Sequence, residues 1–204
     1  MIFTGERPTL EHEIYNSRIR YKDIIPYCLN KRVLDFGCGI GQGTFFLSHF
    51  VKEITGYDCN PMAVSEAAAT FNNIQFKNDF SNFDQYDIIS MVEVLEHLEK
   101  NDFRDLLNKI NKTDFVGTTP NGDLLVYRPQ DIKDRIGYHT WHYSKNELED
   151  LFKSYFKFVS ITGHAYDPQI GHFTGYTIFA SNKINWYDSW LTDIFMDKSL
   201  HQDR

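Results

Sequence analysis

The run Lys31-Arg32-Val33-Leu34-Asp35-Phe36-Gly37-Cys38-Gly39-Ile40-Gly41-Gln42-Gly43-Thr44 constrains the fold more than any other stretch of the chain. A short apolar run ends in an acid, four glycines alternate with other residues, and a helix-like segment follows. Glycine at every second position lets a backbone turn sharply and come within contact distance of a ligand, because no Cβ intervenes. A strand that feeds such a loop and then a helix is where open α/β sheets bind nucleotides. A dinucleotide loop requires Gly-x-Gly-x-x-Gly. From Gly37 the third glycine would fall on Gln42, and from Gly39 on Thr44, so neither register fits.

The rest of the chain repeats the theme. Strands are expected at 32–37, 53–58, 74–78, 86–92 and 113–119, with helices at 43–50, 62–71 and 101–110 between them. Such alternation implies a parallel sheet covered on both faces. Residues 80–85, between the third and fourth strands, are too few for a crossover helix, so a tight or irregular link is expected. Asn60-Pro61 supplies a cap and a first-turn proline for the second helix. Ser144 with Glu147 three residues on forms a capping box for a helix at 144–154. Strands at 156–164 and 175–181 complete the sheet. The long segment 121–143, polar and aromatic, is expected to build part of a substrate pocket, since long loops in compact domains are usually functional or mobile.

Composition bounds the function. With 204 residues, 42% of them hydrophobic, one domain with a good core is expected over 1–182, led in by a polar, partly helical segment at 1–29. A net charge of −7 without a long basic run argues against stable non-specific nucleic-acid binding; Arg128 to Arg135, the densest basic stretch, is diluted by Asp131 and Asp134. Three cysteines (Cys28, Cys38, Cys59) without a C-x-x-C pair point to free thiols in a reducing compartment. With no signal-like N-terminus and no apolar run near the ~20 residues of a membrane span, a cytoplasmic protein without membrane contact is expected. The tail 183–204, with Trp186, Trp190, Leu191, Ile194 and Phe195, reads as an amphipathic helix that packs on the domain or forms a homodimer.

Two further acids close successive strands. Asp58 ends the second, 21 residues after Gly37, where an acid accepts hydrogen bonds from ribose hydroxyls. Asp79, followed by Phe80, ends the third. The pattern Asp35-x-Gly37-x-Gly39-x-Gly41 resembles motif I of the class I S-adenosylmethionine-dependent methyltransferases. Glu93-Val94-Leu95-Glu96-His97-Leu98 resembles that family's motif IV in the E-V-L-E-H-L form common among enzymes acting on small molecules and sugars. Thr118-Thr119-Pro120-Asn121 resembles the S-T-P-N of a bacterial and phage group. Thr4-Gly5-Glu6-Arg7, Arg20-Tyr21 and His139-Thr140-Trp141-His142-Tyr143-Ser144 resemble further elements of that group, so the resemblance spans roughly residues 3–182.

The resemblance implies a Rossmann-like, mostly parallel seven-stranded sheet with helices on both faces and its last strand antiparallel. It implies an S-adenosylmethionine site built from Asp35, Gly37, Cys38, Gly39, Asp58, Cys59, Asp79, Phe80 and Glu93. Asp79 would hold the adenine amino group and Phe80 cover the ring. Glu93 would lie at the methionine portion, and Arg20 would reach the methionine carboxylate. The expected reaction is methyl transfer to an oxygen or nitrogen of a small molecule, with a sugar or saccharide precursor favoured. A histidine near neutrality suits removal of the acceptor's proton. His97 is the first candidate base and His142 a second, while His139 and His142 suit a loop-holding role better than a catalytic one.

Other readings compete. Glu93-x-x-Glu96-His97 resembles the E-x-x-E-H of small-RNA 2′-O-methyltransferases, where these residues and a later histidine bind a divalent ion. Spacing alone does not bring three ligands to one ion, and Glu96 equally suits capping of the next helix, so no metal site is assigned. A nicotinamide-dependent oxidoreductase and a non-catalytic S-adenosylmethionine-binding protein are the alternatives from other classes.

Overall fold

β1 (Arg32–Phe36), β4 (Ile88–Val92) and β5 (Asp114–Pro120) are buried along nearly their whole length. A strand covered on both faces reads as a continuous apolar run rather than an alternation. In the computed structural model these three strands form the centre of a seven-stranded sheet of order β3-β2-β1-β4-β5-β7-β6. The structure describes residues 18–79, 82–127, 139–169 and 171–183. β2 (Glu53–Tyr57) and β3 (Gln75–Lys77) extend the sheet in parallel on one side. β7 (His172–Ser181) runs antiparallel between β5 and β6 (Phe158–Asp167) on the other, as the resemblance implies.

Two apolar layers hold the sheet. On one face Leu34, Ile89, Met91 and Phe115 meet α4 (Lys100–Ile110) and α5 (Lys145–Lys153). α4 buries Phe103, Leu106, Leu107 and Ile110, the three-and-four spacing of an amphipathic helix. On the other face Val33, Ile54, Ile88, Val116 and Phe179 meet Leu47 of α2 (Gln42–Ser48), Cys28 of α1 (Ile25–Cys28), and Tyr21 and Ile24 of the lead-in. Both predicted caps form. The Asn60 side chain accepts from Met62 N–H at 3.0 Å ahead of α3 (Pro61–Thr70), and Ser144 and Glu147 make a reciprocal capping box on α5.

Boundaries shift where tertiary bonds take over. β4 starts at Ile88 rather than 86, because Tyr86 N–H closes a turn on Phe83 O at 3.1 Å. The same link holds an Asn82–Asp84 side-chain turn (2.9 Å), so residues 82–87 carry a turn and no helix. β6 and β7 outrun their predicted spans, because pairing continues through Tyr166–Phe173 to Asp167–His172. Residues 1–17, Phe80, Arg128 to Arg135 and the tail 184–204 lie outside the described residues, together with the readings placed on them. No helix among the described residues is long and apolar enough to cross a membrane.

A forked ion pair ties β1 to the start of β4. Arg32 donates through Nη2 and Nε to Asp87 (2.8 and 3.2 Å), and its backbone N–H adds a third bond of 2.9 Å. These donors lower the Asp87 carboxyl from its usual 3.8 to about 2. A carboxyl depressed by folding stabilises fully above its unfolded value and loses that contribution as pH falls through its folded value. Asp87→Asn is therefore expected to lower Tm by a few degrees at pH 7, a modest loss because both side chains are more than a third exposed. The gap between the two proteins should close between about pH 4 and pH 2 in thermal melts; a gap that stays constant over that range would reject the assignment.

Candidate active site

The β1 end of the site is a glycine loop pressed onto the end of β2. Gly37, Gly39 and Gly41 have φ of 84°, 54° and 84°, the left-handed region that favours glycine. The N–H groups of Gly37 and Cys38 both donate to the Tyr57 carbonyl, at 2.7 and 2.9 Å. Gly39 N–H donates to one oxygen of Asp58 (2.9 Å), and Asn60 N–H to the other (2.8 Å). Asp58 is half-buried, so its carboxylate braces the loop while keeping lone pairs for a ligand. A Cβ at Gly39 would meet nothing within 4 Å, which leaves open space over the loop.

Asp35 departs from its expected role at the ligand. Its carboxylate is buried and accepts from Tyr21 Oη (2.9 Å), Thr44 Oγ1 (2.6 Å) and Ser90 Oγ (2.8 Å). It sits beneath the loop and shapes it, rather than facing the open side. Burial raises its pKa, and the three hydroxyl donors oppose the rise. Cys38 is buried, with Sγ against the Gly39 carbonyl (3.6 Å), and Cys59 is half-buried. Burial, with nearby acids, raises both thiols, so neither is a ready thiolate. Asp79 is exposed after β3. Tyr57, which sequence reasoning passed over, is half-buried against Phe36, and burial, reinforced by Cys59, Asp58 and Asp79, raises its hydroxyl. Its position directly before Asp58 was the available signal.

Glu93 follows β4 with φ 57°. A non-glycine residue there costs about 1–3 kcal/mol and persists only when its surroundings fix it. Glu93 N–H donates to the Thr118 carbonyl (3.0 Å), and Thr118 Oγ1 donates to Glu93 Oε1 (2.9 Å). Arg20 pairs with Glu93 Oε2 at 3.5 Å, so the two residues expected near a methionine group meet each other.

Glu96 does not cap the next helix. It is fully buried and accepts from Thr119 Oγ1 at 3.0 Å, while the N-cap of α4 is Glu99, without a side-chain bond. Burial, reinforced by the neighbouring Glu93 charge, pushes Glu96 well above the usual carboxylate range. His97 stands in the 3₁₀ turn Leu95–His97, its ring edge-on to His139 with centroids 4.7 Å apart. His139 Nδ1 lies 2.5 Å from His142 Nε2, a separation at which one imidazole donates to the other. Thr140 holds this strip in place: its N–H bonds the Glu96 carbonyl (2.7 Å) and its Oγ1 the Leu98 carbonyl (2.8 Å). All three histidines thus gather at the end of β4. His139 lies between the other two. One ligand atom each from Glu96, His97 and His139 lie within 4.8 Å of one another, a spacing that could hold a metal ion.

A family model described as "Methyltransferase domain" matches residues 15–161. Solved structures of the same fold include the methyltransferase domain of bacterial CtHen1-CN, 19% identical, with 82% of this chain and 99% of that one covered at a TM-score of 0.63. The DhpI–SAH complex is 15% identical, with 85% and 88% covered at 0.60. The N-methyltransferase NodS from Bradyrhizobium japonicum WM9 is 15% identical, with 84% and 98% covered at 0.58. No curated protein matches the sequence.

Gly37→Ala tests the loop. An alanine there takes on the left-handed backbone, about 1–2 kcal/mol, and its Cβ drives into the Val94 side chain. With overpacking of about 1–3 kcal/mol, a loss near 3 kcal/mol is expected, roughly 6–12 °C in Tm for a chain of this size. Gly39→Ala, strained in the same way but with open space, should cost clearly less. Equal melting temperatures for the two variants would contradict this geometry.

Proposed function

The chain belongs to the methyltransferase-domain family, and we propose that it moves a methyl group onto an oxygen or nitrogen of a small molecule, with a sugar or saccharide precursor the favoured acceptor. It is an S-adenosylmethionine-dependent enzyme. The nicotinamide reading of the glycine loop is thereby set aside. The residues present suit the cofactor: the loop is open above Gly39, and Asp58 keeps acceptor capacity on the same side. In this reading Asp58 takes ribose hydroxyls, and Tyr57 and Asp79 border the adenosine end. The Arg20–Glu93 pair borders the methionine end. When bound, the sulfonium supplies an activated methyl group for in-line displacement, and the protein positions the acceptor and removes its proton.

The observation that carries the proposal is the group of three histidines at the end of β4. His97 takes the acceptor's proton. His139 packs edge-on against its ring and is itself tied to His142 by a hydrogen bond, so the pair orients the base. Buried Glu96 orients the strip through the two backbone bonds that its carbonyl accepts from Thr140 and Trp141.

A second reading is favoured by one specific observation. A fully buried carboxyl beside another acid is costly to ionise unless a cation lies near, and Glu96, His97 and His139 offer ligand atoms to one ion. Two imidazoles and a carboxylate suit a divalent transition metal. That would support metal-assisted methylation of a ribose 2′-oxygen, with His139 rather than Glu93 completing the ligand trio.

One set of measurements separates these readings. S-adenosylhomocysteine is expected to raise Tm and NADH to leave it unchanged. His97→Ala is expected to keep that shift and lower turnover by about 10²-fold on a reactive acceptor. Methyl transfer that survives EDTA supports the base; loss with EDTA and recovery with Mn²⁺ would replace it with the metal reading.

A further inference from the structure

Behind the histidine strip, α4 and α5 leave a cleft of 330 Å³ between them, within the size range of small-ligand sites. Lys100 and Arg104, one turn apart on α4, form one wall, and Glu147, Asp150 and Leu151 of α5 form the other. Tyr143 borders the cleft, and its hydroxyl is buried without a hydrogen-bond partner. Buried polar groups are nearly always partnered, so an orphan hydroxyl beside a cleft calls for an explanation.

Charges in the cleft are only half paired. Lys100 reaches Glu147 at 3.8 Å and lies over the Trp141 ring at 3.2 Å, while Glu147 also serves the α5 capping box. Among the described residues Arg104 and the Asp150 carboxylate form no ion pair or hydrogen bond. A dianion would meet two carboxylates here and a dication two cations. A molecule carrying one charge of each sign meets neither penalty.

We propose that the cleft is a binding site for a small zwitterion of the amino-acid type, its carboxylate on Arg104 and the Tyr143 hydroxyl and its ammonium on Asp150. Leu151 and the Tyr143 ring supply the apolar wall for its side chain. The site is separate from the proposed cofactor loop, and it adjoins the strip that holds His139 and His142.

Three probes that differ only in charge test this: L-phenylalanine, 3-phenylpropanoate and 2-phenylethylamine, titrated into the labelled full chain and followed by amide chemical shifts. L-Phenylalanine is expected to give saturable shifts centred on α4 and α5, with at least tenfold tighter binding than either half-charged analogue. Arg104→Gln and Asp150→Asn should each weaken it about tenfold or more. Tyr143→Phe should weaken it while leaving the unliganded melting temperature unchanged or higher, since the hydroxyl has no partner to lose. Absence of saturable shifts, equal binding of 3-phenylpropanoate, or unaltered binding in the variants would each overturn the proposal. Because binding is read without methyl transfer, failure of the catalytic reading leaves this test intact.

Discussion

The buried Asp35 carboxylate is the bond on which the rest of the site depends. A carboxylate taken out of water without compensation is among the costliest groups a protein can bury. Here three hydroxyls from separate parts of the chain converge on it: Tyr21 from the lead-in, Thr44 from α2 and Ser90 from β4. Each donor brings its own element into register with β1. The glycine loop starts two residues later, between β1 and α2, so its ends are fixed by the same contact. Gly43 completes the arrangement from the other direction, because a Cβ there would strike the Tyr21 ring that reaches Asp35.

The lead-in is tied across the sheet at two more points. Arg20 pairs with Glu93 beyond β4, and Asp23 pairs with His164 of β6 at 2.6 Å. Three successive polar ties from residues 20, 21 and 23 thus reach β4, β1 and β6, on top of the apolar packing of Tyr21 and Ile24. A segment that looks polar and loosely helical in sequence becomes part of the site through these bonds. The left-handed turn at Glu93 belongs to the same economy of constraint: Thr118 fixes it from β5 and Arg20 from the lead-in, and strain of that kind collects at functional sites.

Much of the fold was legible because its signals are local. The runs in β1 and β4 are largely apolar without strict alternation, as suits strands covered on both faces. Asn60-Pro61 and Ser144 with Glu147 carry their capping chemistry within a few residues of each other. The short link before β4 was visible from its length. The site was legible where a motif dictates backbone shape, as at Gly37, Gly39 and Gly41, or places an acid at a strand end, as at Asp58. It was not legible where the partner comes from far along the chain. Whether Asp35 faces a ligand or three hydroxyls depends on Tyr21 and Ser90, 14 and 55 residues away. Whether Glu96 caps α4 or is buried on Thr119 depends on the register of β5. His139 joins His97 through Thr140 bonds to the Glu96 and Leu98 carbonyls, which no spacing in the sequence encodes.

That strip, residues 139–143, links the proposed base to the proposed ligand cleft. On one edge it presents His139, backed by His142, to His97; on the other it presents Trp141 to Lys100 and Tyr143 to the cleft. Its backbone is held at both ends, by Thr140 on the Glu96 carbonyl and by Gly122 N–H on the Tyr143 carbonyl at 2.9 Å. Gly122 has no room for a side chain there, since a Cβ would run into the backbone of His142 and Tyr143. A five-residue segment pinned in this way is short and closely packed, so a displacement at the cleft edge has little slack to absorb it before it reaches the imidazoles. The geometry of the proposed base is therefore set jointly by β4, by the turn after β5 and by the helix pair behind it, rather than by His97 alone.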